Sequence, residues 1–227
     1  MHKYAIIVAG GSGIRMGGDV LKQFQLLKGK PVVWHSIKAF INAYDDIEVI
    51  VVLPSEHLDK GEQLIKEFES NSVHITWGGK TRFHSVKNGL KLVKEESIVF
   101  VHDAVRCLLT TDLIHRCYMQ AIEKGSAIPV IKSKDSLRIV DGKKTDPLDR
   151  NKIMLVQTPQ AFQSNILLPA FNVEYDEKFT DEATVVENAG QEVSVIDGEE
   201  NNIKITRPVD LLIAERILGM RDRKQDV

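Results

Sequence analysis

Arg15 and Lys22 stand within and just after a glycine-rich stretch, AGGSGIRMGGDVLKQF (residues 9–24). Gly10, Gly11 and Gly13 carry no side chains, so backbone N–H groups can approach and wrap an anion there. From Gly10 to Tyr44 the cations Arg15, Lys22, Lys28, Lys30 and Lys38 face a single carboxylate, Asp19. An arginine offers a forked phosphate contact and a lysine a mobile point charge. Together they suit a polyphosphate whose charge shifts during reaction. The plainer alternative is a glycine turn with solvated surface cations.

The common phosphate motifs do not fit this stretch. It lacks the Gly-Lys-Ser/Thr ending of a P-loop. Gly11 and Gly13 begin a dinucleotide fingerprint, but Met16 occupies the third glycine's place. No acidic residue lies between Asp19 and Asp45, where a ribose-binding carboxylate is expected about 20 residues on. These gaps argue against a dehydrogenase. Further along, VHDAVR (101–106) ends an apolar run with Asp103, which can orient a ribose or bind Mg²⁺ through oxygen. His102 beside it reads as a packed structural residue. Arg82 and Ser85 in TRFHSV share one face of a helix start. Cys107 and Cys117 are too few for a disulfide framework and read as reduced thiols. The seven histidines show no zinc-ligand spacing, so no protein-built zinc site is expected.

These residues need elements to hold them. Strand-like runs at 4–9, 47–53, 73–77, 97–103 and 126–131 alternate with helix patterns from Pro31, His57, His84 and Thr111. Thr110 or Thr111 is the N-cap of the last helix and Gly125 its C-cap. This alternation predicts an α/β fold with a mostly parallel sheet covered on both faces, ligands lying beyond the carboxyl ends of its strands. The rhythm breaks at 132–157, which predicts a hairpin arm with Leu137–Val140 paired near Lys152–Val156. A two-stranded ribbon is marginal alone in water, so a second subunit is its natural partner. Helices follow at 163–171 and 181–190, then strands VSVID and NIKIT and a helix from Pro208 to about Leu218. Residues 1–227 thus read as one domain with a protruding β-arm.

A net charge of −2 gives no electrostatic case for nucleic acid or a membrane surface. No run approaches the about 18 apolar residues of a spanning helix. The opening MHKYAIIVAGG is broken by glycine too soon for a signal peptide, and a cytoplasmic location is expected.

In order along the chain, GGSGIRM with LKQF, GGKTRFHSVKNGL, VHDAVR, DRNK, QTPQAF, TDEATVVENAG and NIKITRPVDL resemble the 2-C-methyl-D-erythritol 4-phosphate cytidylyltransferase family. The resemblance implies a three-layer, Rossmann-like nucleotidyltransferase fold. It implies transfer of a cytidylyl group from CTP to methylerythritol phosphate, with pyrophosphate released, in the non-mevalonate isoprenoid route. Ribitol 5-phosphate is the alternative acceptor. Arg15 and Lys22 are the implied catalytic residues. Ala9, Gly10, Gly11, Gly13, Gly79, Arg82, Ser85, Asp103 and Ala104 are implied at the nucleotide. Arg106, Ser136, Arg150, Thr180 (at a helix N-cap) and Lys204 are implied at the acceptor. Ser136 and Arg150 would serve the neighbouring subunit of a homodimer joined through the arm. Mg²⁺ is implied on the CTP phosphates, with Asp103 a possible ligand. Two departures stand out: Cys107 replaces the family's usual proline, and Lys80 replaces a residue that is often Asp or another polar one.

Overall fold

The structure is a computed structural model and describes residues 1–10, 21–68, 72–94 and 96–225. Alternation along the apolar runs decides its architecture. In β1 (His2–Val8), Tyr4 and Ile6 enter one core while Ala5 and Ile7 enter another, all four fully buried. A strand buried on both faces must lie between two layers of helices. The same holds for β4 (Ile47–Leu53) and β6 (Ser97–Asp103), and a shorter β5 (Val73–Trp77) lies at one edge. Two short strands, β2 (Leu26–Leu27) and β3 (Lys30–Pro31), form a separate ladder before the first helix.

The remaining strands are β7 (Ser126–Lys132), β8 (Leu137–Asp141), β9 (Lys144–Leu148), β10 (Met154–Val156), β11 (Gln160–Gln163) and β12 (Val195–Asp197). The main sheet has eight strands in the order β10-β7-β11-β6-β1-β4-β5, with β12 pairing β7. Its pairings make β10 and β11 run against the other strands. From β1 the chain moves outward to β4 and β5, then returns to place β6 on the other side of β1. This reversal opens a crevice at the carboxyl ends of β1 and β6, the usual ligand position in such sheets.

One face of the sheet is covered by α1 (Val32–Ala43), α2 (Leu58–Ile65) and α4 (Thr111–Lys124). The other carries α3 (Arg82–Leu90), α5 (Ser164–Ala170) and α6 (Glu182–Asn188). Their ends follow the sequence signals. Thr110 Oγ1 accepts from Leu113 N, and Gly125 closes α4 at φ 85°, a conformation that suits glycine. Phe40 on α1 is fully buried against the rings of Phe100 and His102, at 5.5 and 5.6 Å. Emptying such a site costs about 3–5 kcal/mol.

Three expectations are corrected. The arm is tighter than predicted: Leu137 pairs with Leu148 and Asp141 with Lys144, leaving Gly142 and Lys143 as a two-residue turn. Gly142 has φ 57°, the positive value that primed hairpin turns require at their first central residue. Val156 and its neighbours instead pair with β7 at the edge of the main sheet. NIKIT is not a strand, because residues 104–105 alongside it form a turn and offer only one backbone bond, Ile205 N to Val105 O at 2.9 Å. The final helix, α7 (Pro208–Gln225), outruns its expected end at Leu218.

Candidate active site

The crevice is a cavity of about 640 Å³ walled by the end of β1, the loop before α3, the end of β6 and residues 204–206. Each wall is fixed by local chemistry. Ala9 N donates to Val52 O at 2.9 Å, and Gln23, itself buried, donates from Nε2 to Ala9 O at 2.7 Å. Gln23 thereby pins the short 3₁₀ turn Lys22–Phe24, which brings Lys22 to the cavity wall. Gly10 and Gly79 also lie on this wall. A Cβ on Gly79 would sit 2.3 Å from the Cβ of His84, so only glycine lets that loop close over the start of α3. Ser85 Oγ accepts from Gly79 N at 3.1 Å and donates to Thr81 O at 3.0 Å.

At the end of β6, Asp103 sits among cations. Its Oδ1 is 3.2 Å from Arg82 Nε, and its Oδ2 is 2.8 Å from Lys204 Nζ and 3.9 Å from Arg106 Nε. These charges outweigh burial and hold the Asp103 carboxyl well below the usual carboxylate range. Asp103 is thus an anion throughout the physiological range. Ala104 N donates to Val8 O at 3.1 Å, tying this turn to the end of β1. Lys204 is placed by Asn202, whose Nδ2 donates to Thr158 O at 2.9 Å and whose carbonyl accepts from Arg106 Nη1 at 2.8 Å.

His102 is fully buried with Nε2 3.2 Å from Arg106 O. A carbonyl can only accept, so Nε2 carries the proton and Nδ1 accepts from Thr158 Oγ1 at 3.1 Å. Thr158 Oγ1 in turn accepts from Asp103 N at 3.0 Å. Burial lowers the His102 pKa to about 3, which fits the structural role read from the sequence.

The cavity therefore brings together Lys22, Ala9, Gly10, Gly79, Arg82, Ser85, Asp103, Ala104 and Lys204. Gly11, Gly13 and Arg15 lie outside the described residues. Arg106 stands behind Asp103, holding Asn202 O and Val156 O, and is not part of the wall. Ser136, Arg150 and Thr180 are exposed and do not line this cavity; Arg150 Nη1 donates to Lys134 O at 3.1 Å. Thr180 is not the cap of α6. Asp181 is, with its carboxylate accepting from Thr184 N, because a carboxylate also complements the positive end of the helix.

Sequence reasoning passed over Glu182, Gln23 and Thr206. Glu182 is buried and grips Arg82 with both carboxylate oxygens, at Nη1 and, 3.0 Å away, at Nη2. Burial raises its carboxyl above the ordinary value against the pull of Arg82. Removing Arg82 would leave the Glu182 carboxylate buried without its cation, at about 3–5 kcal/mol. Its visible signal was an acidic residue opening the apolar, helical run ATVV. Lys80 is exposed and lines the cavity, while Cys107 is buried in an apolar cluster with Leu108 and Ile205; Ile205 lines the cavity and Cys107 does not.

Among the described residues no group of three or more His, Cys, Asp or Glu is arranged to hold a metal ion. Asp103 is the one carboxylate among the described residues on the wall, and both its oxygens face cations. The described wall is rich in cations, which suits a polyanion, and among the described residues it has no metal cage.

Comparison with known proteins agrees with this chemistry. Residues 3–220 match the family model described as IspD, 2-C-methyl-D-erythritol 4-phosphate cytidylyltransferase. A protein of that name from Phocaeicola vulgatus is 43% identical over 219 residues, covering 96% of this chain and 100% of that one. Its namesake from Clostridioides difficile is 37% identical over 97% of this chain and 95% of its own. The crystal structure of 4-diphosphocytidyl-2C-methyl-D-erythritol synthase from Anaerococcus prevotii superposes with a TM-score of 0.82 at 27% identity, covering 96% and 98% of the two chains.

Proposed function

The chain belongs to the 2-C-methyl-D-erythritol 4-phosphate cytidylyltransferase family, and on that premise we propose how its cavity works. The enzyme transfers a cytidylyl group from CTP to methylerythritol phosphate, giving 4-diphosphocytidyl-2-C-methyl-D-erythritol and pyrophosphate. The observation that carries the reading is the cationic crevice at the β1/β6 switch, with Lys22 on its wall and Arg82 and Lys204 paired to Asp103, the one carboxylate there among the described residues.

A phosphate oxygen of the acceptor forms a bond to the α-phosphorus of CTP while the bond from that phosphorus to the bridging oxygen breaks. Pyrophosphate leaves with the electron pair. The attacking phosphate is already nucleophilic at neutral pH, so no side chain need remove a proton. Catalysis rests on alignment and on charge stabilisation. Lys22 and Arg15 neutralise charge at the transferring group. Gly79, Ser85 and Arg82 shape the nucleotide end, Gly10 and Ala9 leave room for phosphate, and Asp103 with Lys204 orients the groups that meet between substrates. Mg²⁺ held on the triphosphate would supply further charge neutralisation, and Asp103 is the carboxylate that would help to hold it.

Exposed Ile139, Val140, Leu148, Met154, Leu155 and Val156 support a homodimer in which the arm packs on a second copy and carries Ser136 and Arg150 to that copy's acceptor. No helix among the described residues is long and apolar enough to cross a membrane, and we place the reaction in the cytoplasm, where CTP is made. Incubation with CTP and either methylerythritol phosphate or ribitol 5-phosphate tests the assignment. Pyrophosphate and a CDP-alcohol should appear with the first acceptor; product from ribitol 5-phosphate alone would overturn it.

A further inference from the structure

We propose that Glu182 is a positioning residue that governs how Asp103 is shared between the two ends of the cavity. It acts through Arg82 and touches neither substrate, and the inference rests on the function proposed above. Arg82 commits both terminal nitrogens to Glu182, leaving only its Nε edge to meet Asp103 Oδ1 at 3.2 Å. Asp103 Oδ2 therefore stays available to Lys204 at 2.8 Å. The four side chains form a row of alternating charge, Glu182–Arg82–Asp103–Lys204. Side-chain exposures of 1% for Glu182, 27% for Arg82, 11% for Asp103 and 46% for Lys204 place its fixed end at Glu182 and its reacting end at the cavity mouth.

That fixed end is built into the sheet. Glu182 is the first residue of α6, directly after the cap Asp181. Gln160 of β11, fully buried, donates from Nε2 to Asp181 Oδ2 at 2.8 Å and accepts from Ala183 N at 2.9 Å. Glu182 is thus locked between two residues held by a central strand. Without its carboxylate, the fork of Arg82 is free to turn and take both oxygens of Asp103, the bidentate arrangement guanidinium and carboxylate prefer. Lys204 would lose its partner and its place.

The test is a double-mutant cycle between Glu182 and Lys204, read as kcat and KM for each substrate, with thermal unfolding followed in parallel. Glu182→Gln, and Glu182→Asp with its shorter reach, should each lower kcat/KM for the acceptor at least ~10-fold while CTP affinity moves less, as loss of a charged hydrogen bond predicts. In a Lys204→Met background the same changes should cost little more, because the row is already broken. Equal losses in both backgrounds, or wild-type kinetics in a folded Glu182 variant, would overturn the proposal. Should Glu182→Gln fail to fold, Glu182→Asp decides by the same criteria. Absence of product from the wild-type enzyme would instead refute the assigned reaction, which keeps the two failures apart.

Discussion

Lys204 Nζ lies 2.8 Å from Asp103 Oδ2, joining an irregular segment near the carboxyl end of the chain to the last residue of β6. Half of the lysine side chain remains exposed, so the pair is screened on its outer side and contributes little to stability. Its worth lies in aiming an ammonium group at the cavity. Lys204→Met should leave the melting temperature nearly unchanged and raise KM for methylerythritol phosphate ~10-fold or more. Calorimetric titration with CTP alone should show affinity close to wild type. A variant with unaltered acceptor KM would remove Lys204 from the site.

Lys22 is held to the cavity by the anchoring of its neighbour Gln23 to Ala9 O. Lys22→Ala and Arg15→Ala are each expected to reduce kcat by ~10²-fold, the usual result of deleting one transition-state donor. CTP binding should weaken less than turnover. Single-turnover rates near wild type in both variants would refute the assigned roles.

Chelation should separate chemistry from folding. Because the described residues hold no group of three or more metal ligands, EDTA should abolish activity while the unfolding curve stays where it was. Added Mg²⁺ should restore turnover. Full activity in chelated buffer would show that the cationic side chains suffice.

The arm makes a stereochemical prediction about the assembly. Arg150 and Ser136 are exposed and do not line their own chain's cavity. Arg150→Ala should raise the acceptor KM and spare CTP binding. Mixed with Lys22→Ala under subunit exchange, it should recover about a quarter of wild-type activity, since one site in each mixed twofold dimer receives both intact parts. No recovery despite proven exchange would assign the arm to its own chain.

The two thiols set an alkaline limit. Burial pushes Cys107 and Cys117 up to about 12. From about pH 8.5 upward the unfolded chain loses these protons while the folded chain keeps them, so stability falls as pH rises. The slope is roughly 1.4 kcal/mol per thiol for each pH unit. Urea titrations between pH 8 and 10 should show this decline, and Cys107→Ala should make it shallower. Native protein should also resist alkylation at pH 8, reacting only once unfolded.

The strands β1, β4, β5, β6 and β7, the order of helices and the crevice were legible in the sequence because they follow from local patterns. Runs such as IEVIVVL and SIVFVHD can be satisfied only between two helical layers, and Thr110 and Gly125 mark the ends of α4 by backbone chemistry alone. Asp103 was legible as a strand-end carboxylate and Lys22 as a cation beside glycines. What the sequence did not carry was partnership. Whether NIKIT becomes a strand depends on the turn at Ala104 and Val105, and how the arm closes depends on whether Val156 pairs with β8 or with β7. The choice of Glu182 as the partner of Arg82, 100 residues away, has no periodicity to betray it. Such choices are made when the faces of a sheet bring distant helix starts together, and an ion pair forms there because a buried charge is costly without an opposite one beside it.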